Sequence, residues 1–158
     1  MTDVIATPVS TPSSYGSVAN VAALAGAWTN NGEFLDDGQY TTATRPSLNQ
    51  VETWLEQMSG VIDLALATEG FVTPLTETTA IAAVAPIIEG VVKDLCEAAN
   101  SVGRFFTKTA IERGISPIRA VSKELNEWVK NNAVGLRTMG VTTKPNAVGE
   151  STASFDVL

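Results

Sequence analysis

The stretch Thr44-Arg45-Pro46-Ser47-Leu48-Asn49-Gln50-Val51-Glu52-Thr53-Trp54-Leu55-Glu56-Gln57-Met58, continued by Val61-Ile62-Asp63-Leu64-Ala65-Leu66 and closed by Glu69-Gly70-Phe71-Val72-Thr73-Pro74, reads as one helix with its start and stop written in. Ser47 is placed to cap the first-turn amides, and Gln50 three residues on completes a capping box. Pro46 favours an extended entry for Arg45. Val51, Trp54, Leu55, Met58, Val61, Ile62, Ala65 and Leu66 recur every three or four residues and therefore share a face. Glu52, Glu56, Gln57, Asp63 and Glu69 fall mostly on the other side. Gly70 suits the left-handed position after the last turn, and Phe71 can fold back on that turn. Gly60, inside the helix, costs about 1 kcal/mol relative to Ala, which predicts a close approach of another helix there.

Working outward, a second long helical segment is expected from Thr76 or Thr78 to about Phe105. Ile81, Val84, Ile87, Ile88, Val91, Val92, Leu95, Ala99, Val102 and Phe105 form its apolar set, and Pro86 is expected to kink or divide it. Lys93, Arg104, Lys108 and Arg113 gather toward its end, where positive charge favours the helix dipole. A further helix opens at Ser116-Pro117, a cap and first-turn proline in the favoured order. Ile118, Val121, Leu125, Trp128 and Val129 should line its inner face, and it should fade at Asn131-Asn132 or by Gly135. On the N-terminal side, Ser17 looks like the cap of a short helix through Val18, Val21, Ala22, Leu24 and Ala25 that ends around Gly26. Trp28 should pack onto the core. Residues 29–45 form a turn-rich loop with Phe34, Leu35 and Tyr40 as apolar anchors. Adjacent Asp36 and Asp37 beside Gly38 read as a turn rather than a metal site.

The chain is therefore expected to be all-α. It reads as a compact bundle of about four helices (residues 17–134) with an extended N-terminal arm (1–16, rich in Thr, Ser and Pro) and an extended C-terminal arm (135–158). Two β-capable pieces in the C-terminal arm, Gly140-Val141-Thr142-Thr143 and Ala153-Ser154-Phe155-Asp156-Val157-Leu158, could add to another chain's sheet edge.

Composition narrows the chemistry. At 158 residues the chain fits one domain with tails. With no histidine, the commonest general base and metal ligand is missing, and most Ser-His, Cys-His and zinc mechanisms go with it. The single cysteine, Cys96, rules out an intramolecular disulfide and lies among Val92, Leu95 and Ala99 like a buried structural thiol. No apolar run is long enough to span a bilayer, and Met1-Thr2-Asp3 lacks the basic lead of an export signal. The net charge of −7 is unevenly spread. Residues 1–92 carry ten acids against Arg45 alone, whereas residues 93–158 carry nine bases against seven acids. Such a chain can bind copies of itself, acidic end to basic end, or present two faces to two partners; the bland reading is a solvated surface of uneven charge. Its acidic half argues against tight wrapping of nucleic acid.

The block of Pro46, Ser47, Val51, Trp54, Leu55, Ile62, Asp63, Leu66, Gly70 and Pro74 resembles, in order and spacing, the most recognisable block of the head–tail connector (adaptor, or head-completion) proteins of long-tailed double-stranded DNA bacteriophages. Tyr15 and the Ser17-capped helix sit where that family opens with a small helix. The likeness covers residues 15–74 well, the next helix loosely, and the last sixty or so hardly at all. It implies a structural virion protein of the neck, made in the host cytoplasm. Copies would form a ring, typically a dodecamer, that docks beneath the portal protein, prolongs the channel for passing double-stranded DNA without reading its sequence, and offers a platform to the next neck or tail protein. No cofactor or membrane is implied. Ring or portal contacts are then expected at Arg104, Lys108 and Arg113 and, by strand addition, at Val141, Thr142, Phe155 and Val157.

Two other classes compete with this reading. An enzyme lacking histidine would need paired carboxylates, and Glu52 and Glu56, one turn apart on a polar face, more simply read as solvated surface. There is no glycine-rich phosphate loop. Another virion component, such as a tail-completion protein or helical coat subunit, shares the same composition and body plan.

Overall fold

Ser47 starts the central helix as its sequence requires. Its backbone is extended, and its Oγ accepts the Gln50 amide at 3.2 Å. These geometries belong to a computed structural model of the chain, which describes residues 14–100 and 117–145. Helix α2 (Leu48–Thr68) buries Val51, Trp54, Leu55, Met58, Ile62, Ala65 and Leu66, as the spacing selects, together with Ser59. It ends at Gly70, whose φ of +93° suits a residue without Cβ.

Upstream, Ser17 caps α1 (Val18–Leu24) by accepting the Asn20 amide at 3.1 Å. A 3₁₀ turn (Gly26–Trp28) follows. Val21, Ala22 and Ala25 are buried and Trp28 packs partly onto the core, whereas Leu24 stays exposed. The loop to α2 is built from turns: Asn30 and Glu33 exchange both backbone bonds across Asn31 and Gly32, which have positive φ, and Gly38 pairs with Thr41. Asp36 and Asp37 serve these turns, each accepting a backbone amide at 2.8 Å, from Asn49 and Ala43. Phe34 anchors the loop in the core, but Tyr40 is 92% exposed and anchors nothing.

Helix α3 (Thr78–Asn100) buries Val84, Ile88, Val91, Val92, Leu95 and Cys96, with Ile81, Ile87 and Ala99 packed against them. The expected Val102 and Phe105 lie outside the described residues. Pro86 does not divide this helix. Both Ala82 and Pro86 are exposed, so the carbonyl left without its i+4 donor faces water, where the loss is cheapest. Helix α4 (Pro117–Thr138) buries Val121, Leu125 and Val129 as expected, and also Ala133 and Leu136. These last two continue the apolar period past Asn132 and Gly135, which is why the helix runs to Thr138 rather than fading earlier. Ile118, expected inside, is instead 39% exposed.

Four helices thus make up the described body, and the expected all-α architecture holds. Helix α2 packs on α3 and α4, α3 also meets α1 and α4, and one continuous core runs between them. Among the described residues there are no strands, only isolated bridges at Asn30–Glu33 and Phe71–Thr143. The body reaches beyond the span expected for it. Tyr15 is buried, and Leu136 and Val141 are core residues rather than parts of an arm.

Two glycines behave oppositely. A Cβ on Gly16 would lie 2.8 Å from Glu89 Cγ and 2.9 Å from Leu55 Cδ2, so this is where backbone and helix meet closely. A Cβ on Gly60 would meet nothing within 4 Å, so the expected close approach is not made there among the described residues. Gly16→Ala should therefore destabilise the fold by about 1–3 kcal/mol, and Gly60→Ala should stabilise it by roughly 0.5–1 kcal/mol. Urea unfolding of the two variants checks both signs.

Candidate functional site

The segment with the sequence Gly140-Val141-Thr142-Thr143 was expected to seek a partner chain. Its position follows from how α2 and α4 end. After α2, the Phe71 amide donates to the Leu66 carbonyl and the Gly70 amide to Ala67, each at 3.0 Å. After α4, the Val141 amide donates to Leu136 at 3.1 Å and the Gly140 amide to Arg137 at 3.0 Å, with Gly140 at φ +87°. Both are Schellman endings, which return two orphan carbonyls to the chain and turn the next residue back on the last turn. Even the side chains repeat, since Thr68 Oγ1 donates to Leu64 and Thr138 Oγ1 to Val134.

The two exits then run antiparallel to each other. The Val72 amide donates to Thr142 at 2.9 Å, and the Lys144 amide to Gly70 at 2.8 Å. Glu77, just before α3, accepts the Thr142 amide at 3.0 Å and also its hydroxyl. Arg137 lies across the junction. One guanidinium nitrogen donates to the Glu69 carbonyl at 3.0 Å, and its carbon stands 5.2 Å from the centre of the Phe71 ring. A cation at the last carbonyls of α2 meets the negative end of that helix and the face of an aromatic ring together. Val141 and Thr142, expected to add to another chain's sheet, form no strand: Val141 is buried, and the Thr142 backbone bonds to Val72 and Glu77 within the chain. Arg104, Lys108, Arg113, Phe155 and Val157, the other expected contacts, lie outside the described residues.

A second cluster sits beside α2. The Tyr15 amide donates to Ser59 Oγ at 3.0 Å, and the Tyr15 hydroxyl donates to Asp63 and accepts the Leu75 amide at 2.7 Å. Burial, then the hydrogen bond to Asp63, raises the phenol well above its ordinary range. Burial also raises Asp63, and the Tyr15 hydroxyl partly offsets it. The cluster ties the segment before α1 to the middle of α2 and to the exit after it. Glu89, buried on α3, accepts the Ser17 amide and the Asn20 side-chain amide, both at 2.9 Å, and so supports the start of α1.

Other candidates for chemistry resolve similarly. Burial pushes the Cys96 thiol up to about 12, far from a thiolate at neutral pH. Glu52 and Glu56 are both exposed. Asp94 and Glu124 are raised by burial, Glu124 also by the charge of Asp94, while Lys93 pairs with Glu97 at 2.8 Å. Among the described residues no group of three or more His, Cys, Asp or Glu is placed to hold a metal ion, and no helix is long and apolar enough to cross a membrane. Sequence reasoning missed Glu77, Arg137 and the partners of Tyr15. The available signal was the doubled ending, Leu66, Thr68, Gly70 and Phe71 against Leu136, Thr138, Gly140 and Val141. Comparison with protein families, characterised proteins and solved structures finds no match to this chain.

Two predictions follow from these contacts. Tyr15→Phe leaves the buried Leu75 amide without its acceptor and should cost roughly 1–3 kcal/mol by urea unfolding. The Thr142 contacts hold Glu77 below the usual carboxylate range. The stability it lends is therefore present above the ordinary carboxylate pKa and lost as pH falls through the depressed one. The protection of the Thr142 and Lys144 amides, taken against the intrinsic exchange rate at each pH, should fall on acidification, and Glu77→Gln should show lower protection already at neutral pH and a weaker pH dependence.

Proposed function

We propose that this chain is a structural virion protein, a head–tail connector whose copies form a ring beneath the portal, extend the DNA channel and link capsid to tail. The observation that carries the reading is the block from Tyr15 to Pro74. Its likeness to the connector family spans these residues, and the same residues form a single interlocked unit. Ser47 caps the helix, Val51, Trp54, Leu55 and Ile62 fill the core, Asp63 holds Tyr15, and Leu66 and Gly70 form the ending.

The charge pattern supports the reading physically. An acidic surface toward a channel repels phosphate and lets DNA slide, whereas many Lys or Arg contacts would hold it. The two differently charged halves offer the complementary faces a cyclic ring needs. The role is one of positioning and adhesion, with no catalytic residue.

Cryo-EM of the particle neck is the direct test, with the chain expected as a ring immediately below the portal. Its location elsewhere in the particle, or its absence from it, would overturn the reading. Neutralising Arg104, Lys108 and Arg113 together should weaken ring formation or portal docking, seen as fewer tailed particles; undiminished particle assembly by the triple variant would count against those residues as contacts.

A further inference from the structure

Residues 35–44 make a finger closed by its own bonds. At its foot the Leu35 amide donates to Thr44 Oγ1 at 2.8 Å, and the Thr44 amide to the Leu35 carbonyl at 3.0 Å. Midway, Asp37 Oδ1 accepts the Ala43 amide at 2.8 Å. Near the tip Gly38 and Thr41 exchange backbone bonds at 2.9 and 3.4 Å, which leaves Gln39 and Tyr40 at the turn. The Gln39 side-chain amide then donates to the Tyr40 hydroxyl at 3.1 Å. The ring so placed is 92% exposed. Successive bonded layers thus hold in water an aromatic side chain that the body does not bury. Such a side chain loses little freedom on binding, because its backbone is already fixed and Tyr has only two side-chain torsions to order. Aromatic residues presented in this way carry a disproportionate share of interface energy.

The charge around the finger has one sign. Asp36 Oδ1 accepts the Asn49 amide at 2.8 Å, which seats the finger's foot on the first turn of α2. Asn49, Glu52 and Glu56 follow at helical spacing and are all exposed. Asp36, Asp37, Glu52 and Glu56 therefore make an acidic ridge running from the finger onto α2, and Arg45 is the one base between Leu35 and the end of that helix. We infer that Tyr40 anchors a protein-docking surface whose occupant is a different protein, with an apolar pocket for the ring and a rim of Lys or Arg that meets this ridge. Complementary charge of this kind steers the encounter and fixes its register. The same carboxylates turn away nucleic acid and anionic lipid. A second copy is a poor fit, because among the described residues the outer side of α4 sets Glu127 between Lys123 and Lys130 and is balanced in charge. The inference goes beyond the connector reading and does not rest on it.

The test places the photo-crosslinker p-benzoylphenylalanine at position 40 of the full-length chain, made in the cells that naturally produce it. Irradiation should give one predominant adduct with a different polypeptide, joined at an apolar site flanked by Lys or Arg. That polypeptide, purified, should bind the full-length chain with an affinity that falls by roughly tenfold or more in Tyr40→Ala, and by less in Tyr40→Phe, which keeps the ring. Glu52→Lys/Glu56→Lys should slow association and flatten its dependence on salt. Tyr40→Ala should leave urea unfolding unchanged, since the ring is exposed, which separates lost docking from lost folding. No polypeptide adduct, an adduct with another copy of this chain, or an adduct at a site without basic residues would overturn the inference. So would binding that survives Tyr40→Ala or is unaltered by the charge variant.

Discussion

Two left-handed backbone positions, at Gly70 and Gly140, decide where the central helices stop, and the body depends on where they stop. A helix that ends without partners leaves carbonyls unsatisfied, and each ending here returns two of them to the chain. The reversal also throws Phe71 and Val141 back into the core and sets the following residues parallel in space and opposite in direction. Arg137 and Glu77 then fasten the two exits from either side, one at a carbonyl and one at an amide. The result joins residues 70 and 144 by a short backbone pairing where the helices alone would meet only through side chains.

The body is easy to read in the sequence where the signal is local. Ser47 with Gln50, Gly70 with Phe71, and the apolar period of α2 lie within a few residues of what they determine, and the folded chain uses them as written. Misreadings arose where distant residues decide. Asn132 and Gly135 look like a helix stop, yet Ala133 and Leu136 find core neighbours and carry α4 past them. Pro86 looks like a break, yet it falls on the solvent side, where a missing backbone bond is replaced by water. Tyr40 looks like an anchor and Tyr15 like part of an arm, and the reverse is true, because Asp63, Ser59 and Leu75 are available to one and not to the other. Nothing in the spacing of residues 15 and 63 announces that bond. At Val141 and Thr142 the sequence is least legible, since a β-capable stretch does not say whether its pairing partner is in its own chain.

The residues that specify the body and the residues that face solvent are almost separate sets. Val51, Trp54, Leu55, Ile62, Leu66 and Gly70 specify the body, and their work is complete inside it. The solvent-facing side chains are charged very differently along the chain. Separation of this kind means that altering the outer face of α2 or α4 leaves the capping and packing untouched.

The placement of the two anchors also has a mechanical consequence. Tyr15 is fastened to the middle of α2 and to Leu75 after its end, and Lys144 is fastened to Gly70. A tension applied through the chain before Ser14 and after Pro145 therefore enters and leaves by the same half of α2. Those few bonds are the first to meet it, with the Ser17 amide on Glu89 next along the chain.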